Sequence, residues 1–479
     1  MKFTFAALIV LLGGLSSEAT AQEDKTEKVH AHFYLNPVVV TSNRSEQSVF
    51  EANRGIELVN SERGSELQSF SLPELLDEMT GVYVQRTNRG AGSPIIRGLL
   101  GPQNLIVIDG VRFNTSTFRT GPNQYLSLID PNSIRRVEVV RGPSSVLYGN
   151  GAMGGVMQIL TLNPNTNELF SGHAAGRFAS ADLMGGGSIN LSGSSGALSY
   201  LVGGTFDHHG ILRTGTGIDQ PASDYDVGYW RTKLGWKSGA WQVQGAYFGA
   251  LMRDAGRADK LGIGELRYYD NDDHLAYMKG SYRGADLLNK VELTVSYHGL
   301  NESVRRFNCK RSNSPDGRST VADRSLCEAL DISTLKTKKN TRDTVHALGA
   351  DLNFHLSFWE QRILVQAGGE LYQDYVSSTQ ENATADSNFV FESQPRGNFS
   401  NGSTYLSSGA YFHADTLLLE KSSSLQLHLN SGGRFSYFAA SAPNVPEVGN
   451  VNYSYNGFVG SIGLQLLKPK KFNLFASFV

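Results

Sequence analysis

The chain has 479 residues with 43 Lys and Arg against 45 Asp and Glu, a formal net charge of -2, and this near-neutral balance gives no argument for nucleic acid as a partner. Beyond residue 21 no run of 18 or more apolar residues occurs, which excludes a helical membrane protein. A membrane β-barrel is not excluded, because its strands alternate outward apolar with inward polar residues. A mean hydropathy of -0.26 with 52 Gly, 24 Phe and 20 Tyr suits such strands.

The N-terminus has the pattern of a secretory signal peptide. Lys2 precedes an apolar run over residues 6–15, and the small residues Ala19-Thr-Ala21 form a signal peptidase site. We predict a signal peptide over residues 1–21 and a polar leader over residues 22–36. The alternative is an N-terminal core helix.

As far as about residue 165 the pattern is that of a mixed α/β globule. Ser71-Leu-Pro-Glu74 predicts a helix with a capping box, followed by apolar residues at helical spacing until Gly81 closes it. Residues 104–113 are two apolar runs around Asp109-Gly110, which predicts a hairpin. Residues 133–140 predict a further strand.

Residues 149–154, Gly-Asn-Gly-Ala-Met-Gly, match the glycine pattern of dinucleotide-binding enzymes. Such a site needs a strand that runs directly into the first glycine and a helix that opens at the last. Here the strand ends at Val140, eight residues intervene, and the residues after Gly154 favour a strand. We interpret the glycines as structural and expect no cofactor.

Beyond residue 165 apolar residues recur two apart, as in Leu425-Gln-Leu-His-Leu429. Short turns such as residues 193–196 alternate with long polar connections such as residues 302–341, as in an outer-membrane barrel. A soluble β-sandwich is the alternative. We predict about thirteen strands, at residues 168–179, 183–193, 196–208, 225–238, 240–250, 272–284, 289–301, 342–356, 360–377, 403–417, 423–439, 452–467 and 471–479.

Two of the long connections carry residues of chemical interest. Cys309 and Cys327 lie in one of them among several Arg and Lys, and the oxidising compartment that an exported chain passes favours a disulfide over free thiols. The basic residues would attract an anionic substrate or neutralise lipopolysaccharide. His208 and His209, in another predicted exterior loop, are candidate haem-iron ligands or merely solvated side chains.

Several motifs of the first half resemble those of TonB-dependent outer-membrane receptors, and they cover roughly residues 36–165. The most specific run is Ile134-Arg-Arg-Val-Glu-Val-Val-Arg-Gly-Pro-Ser-Ser-Val-Leu-Tyr-Gly-Asn-Gly-Ala-Met-Gly-Gly-Val156. Met157-Gln158 departs mildly from the family, which more often has an apolar residue and then Asn. The other landmarks, in the family's order, are Val38-Val-Val-Thr41, Leu72-Pro-Glu-Leu-Leu-Asp-Glu-Met-Thr-Gly81, Ile96-Arg-Gly98 and Val107-Ile-Asp-Gly-Val-Arg112.

The resemblance implies an N-terminal α/β plug domain, residues 42–165, inside an antiparallel transmembrane β-barrel over residues 166–479. It implies a place in the bacterial outer membrane, in contact with lipid and lipopolysaccharide. The family's barrel has about 22 strands. About thirteen strands therefore predict a fragment or a truncated product.

The resemblance further implies uptake of a scarce metal chelate of the ferric siderophore, haem or cobalamin class, driven through the TonB C-terminal domain. Residues 37–41, which are Pro37, Val38, Val39, Val40 and Thr41, are the predicted TonB box, because extended residues beside a polar leader suit strand addition to a partner sheet. The alternative is that Val38 to Val40 are merely the first plug strand.

Two other functions compete with energised uptake. A passive porin-type channel needs neither a plug nor a TonB box. An exported enzyme is not expected, since no motif places a Ser-His-Asp set, a metal-spaced His cluster or a carboxylate pair.

The resemblance assigns two sets of plug residues. Arg97 and Arg141 are implied to pair with barrel-wall carboxylates at the plug–barrel interface, because a buried arginine is costly unless it is paired. Apical plug loops are implied to touch the ligand, and their aromatic and Arg side chains suit an anionic, ring-bearing chelate. The predicted ligand residues are Arg86, Arg89, Phe113, Phe118, Arg119 and Tyr125.

Overall fold

A computed structural model describes the chain over residues 38–39, 47–67, 69–142, 144–313, 319–321, 335–421 and 425–479. The predicted signal peptide and leader lie outside these residues. The described chain belongs to one compact unit, in which a small α/β domain packs against one face of a large antiparallel sheet.

The first half forms the small domain. Its strands are β1 Val38–Val39, β2 Gln47–Ser48, β3 Ile56–Asn60, β4 Val82–Asn88, β5 Ala91–Ile96, β6 Leu99–Leu100, β7 Asn104–Ile108, β8 Val111–Arg112, β9 Ile134–Arg141 and β10 Gly155–Thr161. Its α-helices are α1 Ser61–Glu66, α2 Leu72–Leu76 and α3 Ser145–Tyr148, and its 3-10 helices are Val49–Glu51, Gly101–Gln103, Tyr125–Leu128 and Pro131–Ser133.

The central sheet of the small domain has the order β3-β9-β10-β7-β8. β10 is parallel to β7 and antiparallel to β9. The hairpin predicted around Asp109-Gly110 is confirmed, since β7 pairs with β8 and the two turn residues have φ of +48 and +90, as a type I′ turn requires. The strand predicted over residues 133–140 is β9.

The helix predicted after Ser71 forms as α2, but its capping box is wrong. Ser71 is the N-cap residue, yet its hydroxyl accepts no backbone hydrogen bond. The Glu74 carboxylate instead accepts from the Phe70 amide at 2.8 Å and lies 3.6 Å from the Arg89 guanidinium. The carboxylate is therefore turned toward the residue before the N-cap, where it also offsets a positive charge.

The glycine-rich segment is a close-packed connection between strands of the plug. β9 ends before α3, and β10 starts at Gly155, so the segment does not have the strand-to-helix order of a dinucleotide site. A Cβ at Gly154 would collide with the side chain of Asn104, and Gly149 has φ of +71 beside the guanidinium of Arg434. The interpretation of these glycines as structural is confirmed.

The second half forms the large sheet and its connections. Its strands are β11 Ser171–Ala179, β12 Met184–Ser195, β13 Leu198–His209, β14 Leu212–Arg213, β15 Asp219–Gln220, β16 Tyr225–Ser238, β17 Trp241–Gly256, β18 Glu265–Arg283, β19 Leu288–Cys309, β20 Arg311–Asn313, β21 Ser319–Val321, β22 Leu335–Phe358, β23 Ile363–Thr384, β24 Glu392–Ser393, β25 Ser403–Lys421, β26 Leu425–Val445, β27 Gly449–Lys468 and β28 Phe472–Phe478. Two 3-10 helices, Ala258–Ile263 and Ala385–Ser387, lie in connections.

Thirteen strands of the large sheet follow one another as antiparallel neighbours, in the order β11-β12-β13-β16-β17-β18-β19-β22-β23-β25-β26-β27-β28, with β24 beside β23. Each of the thirteen predicted segments overlaps one of them, so the predicted barrel strands are confirmed. Within the described residues β11 and β28 do not pair with each other, and the barrel is not closed.

The inner face of the sheet shares a hydrophobic core with the small domain. Leu72 and Ile96 of the domain are fully buried in the same cluster as Leu275 and Val345 of the sheet. The outer face carries exposed apolar side chains, for example Leu293 at 50% exposure. This is the arrangement expected of a plug inside a membrane barrel. None of the described helices has the length and apolar character needed to span a membrane.

Candidate functional site: the plug–barrel boundary and the apical loop

Ion pairs join the plug to the inner face of the sheet and its turns. The sheet partners Arg231 and Lys233 are each 1% exposed, and charges buried so deeply are costly unless they are paired. The pairs are Asp109–Lys233 at 2.9 Å, Arg119–Glu302 at 2.6 Å, Arg89–Asp182 at 2.7 Å, and Asp130–Arg231.

Asp109, in the turn between β7 and β8, has partners in both the plug and the sheet. Its carboxylate accepts hydrogen bonds from the Thr161 amide at 2.9 Å, the Thr161 hydroxyl at 2.6 Å and the Tyr277 hydroxyl at 2.9 Å, besides the Lys233 pair. Its carbonyl accepts from Lys279 at 2.8 Å. Burial alone would raise the pKa of Asp109, but Lys233 and Thr161 outweigh burial and hold the pKa below its usual value.

Arg97 and Arg141 border a cavity of about 360 Å³ between the plug and strands β25 to β28. Arg141 donates to the Thr80 carbonyl at 3.3 Å, and Arg97 is exposed. Neither guanidinium forms an ion pair within the described residues, because the wall of this cavity contains no acidic residue. The implied pairing with barrel-wall carboxylates is therefore not found there, and plug arginines form such pairs at Arg89 and Arg119 instead.

Four of the predicted ligand residues lie together on the loop between β8 and β9, which we call the apical loop. Phe113 stacks on His298 of β19 with ring centroids 4.7 Å apart, and Phe118 packs on Tyr125 at the same distance. Arg119 donates to the Tyr125 hydroxyl at 3.2 Å. Phe113 and Tyr125 are each 2% exposed, and burial raises the pKa of the Tyr125 phenol. These rings hold the loop against the barrel wall, and their ligand role stays a prediction.

The other two predicted ligand residues lie apart from this loop. Arg86 pairs with Asp77 inside the plug. Arg89 pairs with Asp182 in the turn between β11 and β12, and its guanidinium lies 5.3 Å from the centre of the Phe70 ring. Arg86 and Arg89 are therefore not part of the apical loop.

A polar cavity of about 210 Å³ lies between the apical loop and strands β19 to β25. On its wall the Ser116 amide donates to the Asp374 carboxylate at 2.6 Å. His298 binds Asp273 through Nε2 at 2.7 Å, and its buried Nδ1 has no hydrogen-bond partner in the described part of the chain. The cavity is large and polar enough for several water molecules or a small polar group.

The predicted TonB box lies at the edge of the described residues. Val38–Val39 form β1, which pairs antiparallel with Gln47–Ser48. Pro37, Val40 and Thr41 lie outside the described residues. The extended conformation of β1 is compatible with both the TonB box and its alternative, a first plug strand, and the assignment stays a prediction.

The prediction that His208 and His209 lie in an exterior loop is wrong, because both end β13. His209 is 1% exposed, with Nδ1 2.9 Å from Asp182 and its ring stacked on Tyr225 at 4.3 Å. His208 pairs with Asp226 at 2.6 Å. In the described part of the chain, no group of three or more His, Cys, Asp or Glu side chains is arranged to hold a metal ion.

Cys309, the last residue of β19, is disulfide-bonded and 3% exposed. Cys327 lies outside the described residues. The pairing of the two cysteines with each other stays a prediction.

The profile of the TonB-dependent Receptor Plug Domain matches residues 48–156, which are the residues of the small domain packed against the sheet. Residues 48–156 therefore form the plug domain of the TonB-dependent receptors. The hemin receptor of Yersinia enterocolitica is 30% identical over 238 residues, 49% of this chain and 31% of that protein. The vitamin B12 transporter BtuB of Vibrio vulnificus (strain CMCP6) is 30% identical over 194 residues, 40% of this chain and 30% of that protein.

The fold of the chain has a counterpart among solved structures. The copper transporter OprC superposes with a TM-score of 0.68 at 15% identity, over 88% of this chain and 61% of that chain. At this identity the likeness shows the fold alone. The receptor chain spans less than a third of the length of the two curated relatives, 31% and 30%, and less than two thirds of OprC. The comparisons do not support the passive channel.

Several contact residues of this receptor were missed by the motifs. Arg119 contacts the ring of Tyr269 and forms an ion pair with Glu302. Arg231 and Lys233 form ion pairs with carboxylates of the plug. The spacing of Arg231 and Lys233 in the sequence did indicate that they face the barrel interior. Arg231 and Lys233 are two apart in a strand whose alternate residues are apolar or aromatic, so both point to the inner face. Their plug partners, by contrast, depend on tertiary packing.

Proposed function

We propose that this receptor lies in the bacterial outer membrane and takes up a metal chelate of the haem, cobalamin or ferric siderophore class, with energy supplied through the TonB C-terminal domain. Its outer face would contact lipid and lipopolysaccharide. The observation that carries the proposal is a plug that fills the inner face of the sheet and is held there by polar contacts. The 30% identity to a hemin receptor and to a vitamin B12 transporter supports the ligand class.

The composition of the boundary favours a plug that moves. The boundary combines an apolar core shared by plug and sheet with buried ion pairs such as Asp109–Lys233, whose charges water can solvate when it enters. Opening such a boundary requires work. Since the outer membrane holds neither ATP nor an ion gradient of its own, the work has to come from the inner membrane.

Collapse of the proton gradient tests the proposal. In cells that produce the receptor, a protonophore is expected to stop uptake of a radiolabelled chelate while leaving its binding to the cell surface unchanged. Hemin and cyanocobalamin are the first chelates to measure. Uptake that continues at the same rate after the gradient has collapsed would contradict the proposal and favour passive diffusion.

A further inference from the structure

Three cationic side chains form a row across the inner wall of the barrel above the apical loop. Tyr269 of β18 faces inward, because the Arg119 guanidinium of the plug lies 5.0 Å from its ring centre. Alternation places Arg267, two residues before it, on the same face. Arg267 is paired in register with Arg306 of β19, and Arg306 with Lys339 of β22. We call Arg267, Arg306 and Lys339 the basic row.

Like charges at directly paired positions destabilise a sheet, so the basic row lowers the stability of the barrel. Glu265 pairs with Arg267. Within the described residues neither Arg306 nor Lys339 forms an ion pair, and Nε of Arg306 is buried without a hydrogen-bond partner.

The row lies at the outer ends of its strands, beyond the apolar outward band that ends near residue 299 of β19. Burial and the guanidiniums of Arg306 and Arg267 lower the pKa of the Lys339 ammonium. An anion placed on the row would relieve this repulsion.

Apart from Glu265, the nearest inward carboxylates on these strands have other partners. Glu302 of β19 and Asp343 of β22 are paired in register with each other. They lie on the inner face, two residues along their strands from the level of Tyr269. Glu302 accepts from Arg119 at 2.6 Å. Asp343 accepts from the Ser378 hydroxyl at 2.5 Å and from the Asn398 amide at 2.6 Å.

The basic residues of β19 could bind an anionic ligand or neutralise lipopolysaccharide, and the face of the strand on which each residue lies distinguishes the two roles. Arg305 faces outward and pairs with Asp254 and Asp270, so its charge is met by the barrel itself. Arg306 faces the interior, where lipopolysaccharide does not reach. Neutralisation of the surrounding lipid therefore does not account for the basic row.

We propose that Arg267, Arg306 and Lys339 bind an anionic group of the transported ligand, so that the receptor selects a negatively charged chelate over a neutral one. The inference rests on the proposed function and narrows its ligand class. Arg119, anchored on Glu302 and Tyr269 just below the row, places the apical loop of the plug next to the same ligand.

Two ferric complexes of similar size and different charge test the proposal by equilibrium binding to the purified full chain. The anionic probe is a ferric tris-catecholate and the neutral probe is a ferric tris-hydroxamate. The receptor is expected to bind the tris-catecholate more tightly, with an affinity that falls as salt is added. Lys339→Gln and Arg306→Gln are each expected to weaken tris-catecholate binding about tenfold and to leave tris-hydroxamate binding unchanged.

Lys338→Gln is the matched control, because Lys338 is the next residue of β22, faces outward and lies 4.9 Å from the Phe307 ring centre. It removes the same charge from the other face and is expected to leave binding of both probes unchanged. Thermal unfolding of the Lys339→Gln and Arg306→Gln receptors should occur at the wild-type temperature or above it, since each change relieves repulsion. Weakened binding then does not come from misfolding.

Equal affinity of the receptor for the two probes, an equal loss in the Lys338→Gln control, or binding of neither probe would overturn the inference. Failure of the proposed function has a different signature. If the charge preference holds in purified receptor while uptake by cells ignores the proton gradient, energised transport is wrong and the basic row stands. If uptake needs the gradient while the purified receptor ignores ligand charge, the basic row is wrong and energised transport stands.

Discussion

Gly149 occupies a position in the plug where a side chain does not fit. Its φ of +71 with ψ of -143 is a backbone conformation that is essentially restricted to glycine, and an added Cβ would meet the guanidinium of Arg434 on the barrel wall. Gly149→Ala is therefore expected to lower the free energy of unfolding by about 2 kcal/mol or more. Differential scanning calorimetry of the receptor in detergent measures the change.

Gly215→Ala is the control for that substitution. Gly215 lies in an exposed connection, and a Cβ added there would meet nothing within 4 Å. The expected change is within about 0.5 kcal/mol. Equal stability of the two variants would contradict the close approach of Gly149 to the barrel.

Asp109 gives the boundary a pH dependence. Its pKa is lowered in the folded receptor, so its contribution to stability is complete above the unfolded value of 3.8 and is lost as the pH falls through the folded value. Asp109→Asn is expected to cost about 3 kcal/mol near pH 7, since it leaves Lys233 buried without its counter-charge, and less below pH 4. Unfolding temperatures of both proteins between pH 3 and pH 7 measure the difference.

Asp219→Asn is the matched substitution at the surface, where the Asp219 and Arg213 side chains are 62% and 69% exposed. An exposed pair contributes at most about 1 kcal/mol. A stability difference between wild type and Asp109→Asn that does not shrink toward acid pH would argue against an ionised Asp109.

On the scale of single elements, β1 contains two residues of the proposed TonB box, Val38 and Val39. A proline at Val39 removes a backbone donor and fixes φ, so Val39→Pro is expected to abolish energised uptake and to leave surface binding intact. The measurement is uptake and binding of the same radiolabelled chelate by cells.

Gln47→Pro separates two explanations of that result. Gln47 is the partner of Val39 in the β1–β2 pair, so this change breaks the same internal pairing without altering residues 37–41. If Gln47→Pro abolishes uptake as completely as Val39→Pro, the internal strand pair matters and the TonB box assignment loses its support. Normal uptake by the Gln47→Pro receptor would favour TonB pairing.

The length of β19 shows which part of a strand the alternation of apolar and polar residues predicts. Alternation predicts residues 289–301, whereas β19 continues to Cys309. Its outward residues are apolar at Leu293 and Val295 but polar at Asn301, Ser303 and Arg305. Alternation therefore marks the part of a strand whose outer face is apolar, and it does not report the hydrogen-bonded ladder beyond that part.

For the whole molecule, the sequence predicted what depends on local pattern. The thirteen strands, the Asp109-Gly110 turn and the structural role of the glycines each have a signal within a few residues. The partners of Arg119 and Asp109 have none, because Glu302 and Lys233 lie more than a hundred residues away along the chain. The exposed state of Arg97 shows the same limit, since a motif identifies a residue and not the charges that surround it.

The order of strands in the plug has a mechanical consequence. Among the described strands, β3 is an edge strand that pairs only with β9, through residues 56–60, while β9, β10 and β7 each have neighbours on both sides. A pull that enters from the amino end passes β1 and then meets this edge. An edge strand is released when one ladder of hydrogen bonds breaks, whereas release of a central strand requires two ladders to break. Traction would therefore peel β3 away first and leave the core that contains Asp109 and Thr161 as a folded remnant.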